Sequence, residues 1–160
     1  MNFRIGHGYD LHRLQLGGQL VLGGVVVSTE ISPIAHSDGD VVIHAIVDAI
    51  CGALGAGDIG EHFPDSNPAY KDAASTVFLE KMKRDLDAAE YHICNIDVTI
   101  LAERPRLASF KAQIAANVGR LLDTSVNIKA ATNEGVDAIG RGEAIAAHSV
   151  VLLAKQAAKA

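Results

Sequence analysis

Tryptophan is absent from this chain, and aromatic residues make up only 4% of it. This argues against a nucleic-acid platform built on stacked aromatics, and the core must be built from Val, Ile, Leu and Ala. Cysteine is also scarce. Cys51 and Cys94 stand alone, with no CxxC pair, so the expectation is two free thiols rather than a disulfide or a thiolate metal site. Positive charge is in deficit, with a net charge of -5, which argues against a polyanion-binding surface. A phosphate ligand then requires a metal or a nest of amides to supply positive potential. No apolar run reaches membrane-spanning length, and Met1-Asn2-Phe3-Arg4 has no signal-peptide pattern. Neither a membrane nor a nucleic-acid partner is expected, and the expected compartment is the cytoplasm, or the plastid stroma for a processed plant or algal protein.

Apolar residues reach 49% of the 160, enough to bury a real core. One domain over residues 1–157 is expected, with 158–160 as a frayed tail. The most informative stretch runs from His36 to Asp48. Asp38-Gly39 is turn chemistry, and Ser37 followed by Asp40 three residues on resembles a capping pair. The run from Val41 to Leu54 then reads as a largely buried helix. Asp40, His44 and Asp48 recur every four residues and share one helix face. A buried histidine between two carboxylates suits a metal ligand whose second ring nitrogen is held by an acid, here Asp48. The same spacing also describes a core histidine with satisfied hydrogen bonds, so the stretch depends on partner ligands elsewhere.

Such partners stand near the N-terminus. Phe3 to Leu14 alternates as a strand, which puts Asp10 and His12 on one face with Gly6 and Gly8, and His7 on the other. A D-x-H pair at a strand end presents two metal ligands together. Beyond it, Leu20 to Val27 reads as a second strand with Gly23-Gly24 at a bulge or a close approach, and Ser28 to Ala35 as a connection. Residues 56–73 read as a long loop, of the kind that folds over a ligand. Ala74 to Ala89 and Leu107 to Leu122 are amphipathic helices. Ile93 to Ala102, Val126 to Ala130 and Ala144 to Ala154 are strands, the first two joined through a helix in a right-handed parallel crossover. The last strand is almost wholly apolar, so it is buried on both faces or lines an oligomer interface.

Asp10, His12 and His44 form a three-ligand set suited to zinc, and three protein ligands leave the fourth position open as catalytic sites do. A second cluster, Thr132-Asn133-Glu134, offers a hydroxyl, an amide and a carboxylate to phosphate oxygens and a hard cation such as magnesium. It also describes an ordinary polar turn.

Taken together, these segments resemble the 2-C-methyl-D-erythritol 2,4-cyclodiphosphate synthase family of the non-mevalonate isoprenoid pathway. The marks are Arg4 to His12, Ala35 to Asp40 with His44, Gly57-Asp58-Ile59-Gly60, Phe63-Pro64-Asp65, Lys71, Asp97 to Ile100, Lys129-Ala130 with Thr132-Asn133-Glu134, and Gly140 to Glu143. The resemblance implies an α/β (α+β-like) single domain: a four-stranded mixed sheet with helices on one face, assembled as a homotrimer with sites between subunits. It implies a lyase that closes 4-diphosphocytidyl-2-C-methyl-D-erythritol 2-phosphate into the cyclic diphosphate and releases CMP. Zinc would be held by Asp10, His12 and His44, and magnesium or manganese by Glu134. His36, Thr132 and Lys71 would serve the transferring phosphoryl group. Asp10, His12, His36, Ser37, Asp58, Ile59, Gly60, Phe63, Pro64 and Asp65 would line the methylerythritol side. Ala102, Arg104, Pro105, Arg106, Leu107, Ala131, Thr132, Asn133, Glu134 and Arg141 would line the nucleotide side. Asn67, Ala131 and Ala138 depart from the family pattern, the first two by losing an acid and a hydroxyl. Two rival readings are a metal-dependent phosphohydrolase that uses water as nucleophile, and a non-catalytic oligomeric module with structural zinc, which needs a fourth protein ligand.

Overall fold

The fold is built around one long strand and the helix laid across it. In the computed structural model, which describes residues 2–64 and 66–156, β1 spans Phe3–Leu16 and α1 spans Val41–Leu54. A Cβ built on Gly6 would lie 1.8 Å from the Ala49 carbonyl oxygen, and one built on Gly8 would lie 2.0 Å from that of Ala45. Only glycine admits so close a backbone approach, and the two glycines bring β1 directly against α1. The helix is apolar on nearly all sides. Eleven of its residues are buried, His44 among them, because strands, and a helix that follows later in the chain, surround it.

The other elements follow in order. β2 (Leu20–Leu22), β3 (Val25–Ser28) and β4 (Ile31–Pro33) precede α1. After α1 come a short α2 (Ile59–His62), a 3-10 turn at Pro68–Tyr70, α3 (Thr76–Ala88), β5 (Tyr91–Leu101), α4 (Lys111–Leu122), β6 (Val126–Ala131), α5 (Asp137–Gly140) and β7 (Ala144–Lys155). The main sheet has the order β4-β1-β7-β5-β6. It is mixed: β5 and β6 are parallel, joined through α4, and the remaining pairings are antiparallel. β1 and β7 share an unbroken register of eleven pairs, from Phe3↔Ala154 to Arg13↔Ala144. α1 packs on β1 and β7, α3 on α1 and β5, and α4 on α3 and β6. On the outward side of β1, Phe3, Ile5, Tyr9 and Leu11 stay exposed, Ile5 at 71%.

Three sequence expectations need correction. The sheet has five strands rather than four, because Ile31–Pro33 pairs with Leu14–Leu16 at the far end of β1. Proline lacks an amide donor, and an edge strand tolerates that. Leu20 to Val27 is not one bulged strand. It is a two-stranded ribbon, β2 against β3, that turns at Gly23-Gly24, both with positive φ. Residues 56–73 are not one open loop, since α2 and the 3-10 turn lie within them. The bounds Val41–Leu54 agree with expectation, and so does the parallel crossover. Both cysteines are free thiols; Cys51 is buried and Cys94 half-buried. The expected frayed tail, residues 158–160, lies outside the described residues.

Candidate active site

Asp40 starts the architecture of the site. It is fully buried and caps α1, accepting the amides of Val42 and Ile43 at 3.1 Å each. The same carboxylate also accepts the amides of Gly23 at 2.9 Å and Gly24 at 2.7 Å, so it pins the ribbon turn to the helix start. Burial pushes its pKa up to about 6 against the downward pull of these amides. The cap is therefore Asp40, not the Ser37-led pair that the spacing indicated; Ser37 Oγ instead accepts the Gly39 amide at 3.3 Å.

With its start fixed, α1 presents His44 to the strand end that carries Asp10 and His12. The distances are 2.9 Å from His44 Nδ1 to Asp10 Oδ2, 3.1 Å from His12 Nε2 to Asp10 Oδ2, and 3.2 Å between the two imidazole nitrogens. Bonds of about 2.0–2.1 Å in a tetrahedron require ligand atoms roughly 3.3 Å apart, so this triangle is the right size for a zinc-type ion. Among the described residues, these three form the one group of three or more donors gathered closely enough to hold an ion. Burial pushes the Asp10 carboxyl up, but hydrogen bonds from His12 and His44 more than offset it and hold the group well below the usual carboxylate range. Burial pulls the pKa of His44 down, but its hydrogen bond to Asp10 together with the negative charges of Asp10, Asp40 and Asp38 raises it on balance. The Asp10 carboxylate is thus held ionised, the form in which a carboxylate ligates a metal.

The triad opens onto a cleft of about 570 Å³, lined also by His36, Ser37, Ile59, Gly60, Phe63 and Pro64. Ser66, Tyr70 and Phe78 complete the wall and were not foreseen in the sequence. Phe63 stacks on Phe78 with ring centroids 4.3 Å apart, and Tyr70 meets both rings edge-on. This aromatic knot anchors the 56–73 segment over the cleft. Asp58 is turned to the local backbone and caps α2 through the Glu61 amide at 3.0 Å. Lys71 is exposed and lies outside the cleft wall. Asp65 falls outside the described residues. Asp48 does not meet His44: its carboxylate accepts the Ile59 amide at 3.2 Å, holding α2 against α1. The i,i+4 spacing placed it on the correct face but did not fix its partner. The hydrogen-bond partners of His44 Nε2 are instead Ser75 Oγ at 2.9 Å and Ser37 Oγ at 3.3 Å.

The expected nucleotide side forms a separate place. Ala102, Pro105, Arg106, Leu107, Ala131 and Thr132 line a second hollow of about 220 Å³, and Arg104 lines a neighbouring one. Thr132 Oγ1 donates to Glu134 at 3.1 Å, and the Asn133 side-chain amide donates to Asp137 at 2.9 Å. Arg141 makes a two-pronged pair with Glu143 at 3.0 Å on the exposed surface. Leu11, Ala146, Leu101 and Ala131 lie in one row across β1, β7, β5 and β6. Three strand spacings of about 4.8 Å therefore separate the two places by roughly 14 Å within one chain.

A mixed α/β domain with three metal-type donors at the mouth of a cleft has the form of a metal-assisted enzyme, and comparison with known proteins shows the class. The sequence model of the YgbB family matches residues 3–154. The chain belongs to that family, the cyclodiphosphate synthases of isoprenoid biosynthesis, which are lyases. It is 50% identical over 157 residues to the chloroplastic 2-C-methyl-D-erythritol 2,4-cyclodiphosphate synthase of Arabidopsis thaliana, covering 96% of this chain and 68% of the relative. It is also 50% identical over 153 residues to the synthase of Pelobacter propionicus, covering 94% and 97%. Among solved structures, a CDP complex of IspF from Plasmodium falciparum superposes with a TM-score of 0.86 at 32% identity, covering 98% of both chains. Relatives thus include bacterial and chloroplastic forms, and among the described residues no helix is long and apolar enough to cross a membrane.

Proposed function

We propose that the chain converts 4-diphosphocytidyl-2-C-methyl-D-erythritol 2-phosphate to the 2,4-cyclodiphosphate and CMP at a site shared between two subunits of a homotrimer. The observation that carries this reading is the triad, three ligand atoms 2.9–3.2 Å apart at the mouth of a cleft. Asp10, His12 and His44 hold zinc and Glu134 holds magnesium or manganese; bound there, the ions supply Lewis acidity and charge neutralisation for a diphosphate. Attack by a phosphate oxygen within the same molecule needs little covalent help from protein, so positioning and electrostatics do the work. Ile59, Gly60, Phe63 and Pro64 shape the cleft around the methylerythritol part, and Asp58 and, from the sequence pattern alone, Asp65 are assigned to the same part. His36 and Ser37 stand on the cleft wall where the transferring group would lie, and the buried Nε2 of His36 has no hydrogen-bond partner in the chain. Thr132 and Lys71 complete the charge stabilisation. The hollow from Ala102 to Leu107, with Arg104, Ala131 and Asn133, receives the cytidine, and Arg141 lies beside it. The CDP seen in the Plasmodium relative is consistent with a nucleotide-binding half of this kind.

Two features support sharing between subunits. The triad and Thr132 are roughly 14 Å apart in one chain, too far for both to grip one diphosphate. The outward face of β1 is an apolar stripe that a monomer would leave wet, and packing three copies around it buries that stripe. The working compartment is the cytoplasm, or the plastid stroma for an organelle form. Incubation with substrate and magnesium, followed by phosphorus NMR of the products, tests the reading. A cyclic diphosphate with stoichiometric CMP is expected. A linear phosphate would place the chain with hydrolases instead.

A further inference from the structure

We propose that Ser75, held by Asp38, is the positioning residue of the metal triad: it holds a His44 proton on Nε2 so that Nδ1, which hydrogen-bonds Asp10 in the metal-free chain, can turn a lone pair to a bound metal. This rests on reading the triad as a metal centre. A neutral imidazole has one donor and one acceptor nitrogen, and a ligand nitrogen must be the acceptor. Something must therefore hold the proton on the far side of the ring.

The geometry around Ser75 does this in one direction only. Ser75 is fully buried. It occupies the N-cap position of α3, yet its side chain makes no capping bond to that helix. Its hydroxyl contacts Asp38 Oδ1, and its own amide donates to Asp38 Oδ2 at 2.9 Å, so the carboxylate is gripped at both oxygens. An ionised carboxylate only accepts, so the Ser75 proton must point at Asp38. The oxygen lone pairs of Ser75 are then left to accept from His44 Nε2, 2.9 Å away. The resulting order, carboxylate to hydroxyl to imidazole, leaves Nδ1 free to face Asp10 and His12. Ser37 Oγ lies farther from the same nitrogen, at 3.3 Å, and is half-buried on the cleft wall, so it is the weaker and more exchangeable partner. Backbone bonds tie the two ends together: the Asp38 amide donates to Ala73 O at 3.2 Å and the Asp72 amide to His36 O at 2.9 Å. The chain thereby links the metal centre to the end of the segment that walls the cleft.

The test uses the full chain in four forms: wild type, Ser75→Ala, Ser75→Thr and Asp38→Asn. Zinc affinity is read by competition with a chromogenic chelator at fixed pH, the visible absorption of the cobalt-substituted protein reports ligand geometry, and melting of the metal-free forms reports the fold. Ser75→Ala is expected to weaken zinc by about 10–100-fold and to shift the cobalt bands, as losing an outer-shell partner of a ligand does. Ser75→Thr keeps the hydroxyl and is expected to recover most of the affinity and the wild-type bands. A purely structural role would lower the melting temperature while leaving the cobalt spectrum unchanged. Wild-type affinity and spectrum in Ser75→Ala overturn the proposal. If that variant does not fold, Asp38→Asn decides in the same way, with weakened zinc and altered bands expected. A wild-type chain that takes up no stoichiometric zinc overturns the metal reading itself, and the two failures are distinguishable.

Discussion

Replacing Gly8 with alanine tests whether the strand–helix contact sets the site. The added Cβ would meet the Ala45 carbonyl oxygen at 2.0 Å and the Ala49 amide nitrogen at 2.7 Å. Ordinary contact begins at 3.4 Å, so β1 and α1 must part locally by about 1.4 Å. Neither obstacle is a side chain that can rotate away; both are helix backbone. Overpacking of this kind costs about 1–3 kcal/mol, which for a chain of this size lowers the melting temperature by roughly 2–4 °C per kcal/mol. The effect on the site is larger. Asp10 lies two residues from Gly8, and His44 adjoins Ala45. Metal bonds tolerate about 0.2 Å of error, so a displacement near 1.4 Å between the two halves of the triad leaves one ligand out of reach. Zinc affinity is expected to fall by at least about 100-fold, the scale of losing a supporting contact or more. Thermal melting of the metal-free protein and chelator competition for zinc measure the two effects separately. A Gly8→Ala chain that melts as wild type and binds zinc as wild type would refute the argument that this close approach builds the site.

Other outcomes are expected. His44→Ala should lose zinc and turnover while sedimenting as wild type; retained turnover would exclude the ligand role. Mixing Asp10→Ala chains with Glu134→Ala chains should restore part of the activity if sites are shared, and silence after verified subunit exchange would count against sharing. In the metal-free protein the depressed Asp10 carboxyl contributes stability that is present above pH 3.8 and is lost as pH falls towards the lower folded value. Asp10→Asn should therefore flatten the acid limb of a melting-against-pH curve, and an unchanged limb would contradict that. Burial pushes the Cys51 thiol up to about 11, so iodoacetamide at pH 8 should leave Cys51 unmodified until the chain unfolds. Rapid native alkylation at Cys51, read by peptide mass, would overturn this.

Much of this arrangement was legible in the residues. The largely apolar run after Asp40, interrupted only by His44 and Asp48 on one face and by Gly52 near its end, matched the bounds of α1. The alternation through Gly6, Gly8, Asp10 and His12 placed the ligands on one face of β1 with the glycines, because period two admits only two faces; that this face meets α1 came from the structure. What escaped depended on contacts between distant segments. Ile31–Pro33 is three residues long and contains a proline, so it carries no strand signal of its own; only the overhang of β1 beyond β7 recruits it. Ser75 lies 31 residues from His44, and nothing local distinguishes it from an ordinary helix cap. Asp48 shows the converse. Its spacing from His44 was correct and its face was correct, yet the Ile59 amide claimed it. Periodicity places a side chain on a surface, and tertiary competition chooses its partner.

The eleven-pair match between β1 and β7 also governs whether the enzyme has a centre at all. A shift of a single residue along that ladder would point Tyr9 and Leu11 at the helix and throw both ligands of the strand to the outer surface. Gly6 and Gly8 resist such a slip from the other direction, because the side chains that would replace them cannot fit beneath α1. Alignment error in this strand would therefore abolish chemistry and assembly together, and the chain guards against both with the same two smallest residues.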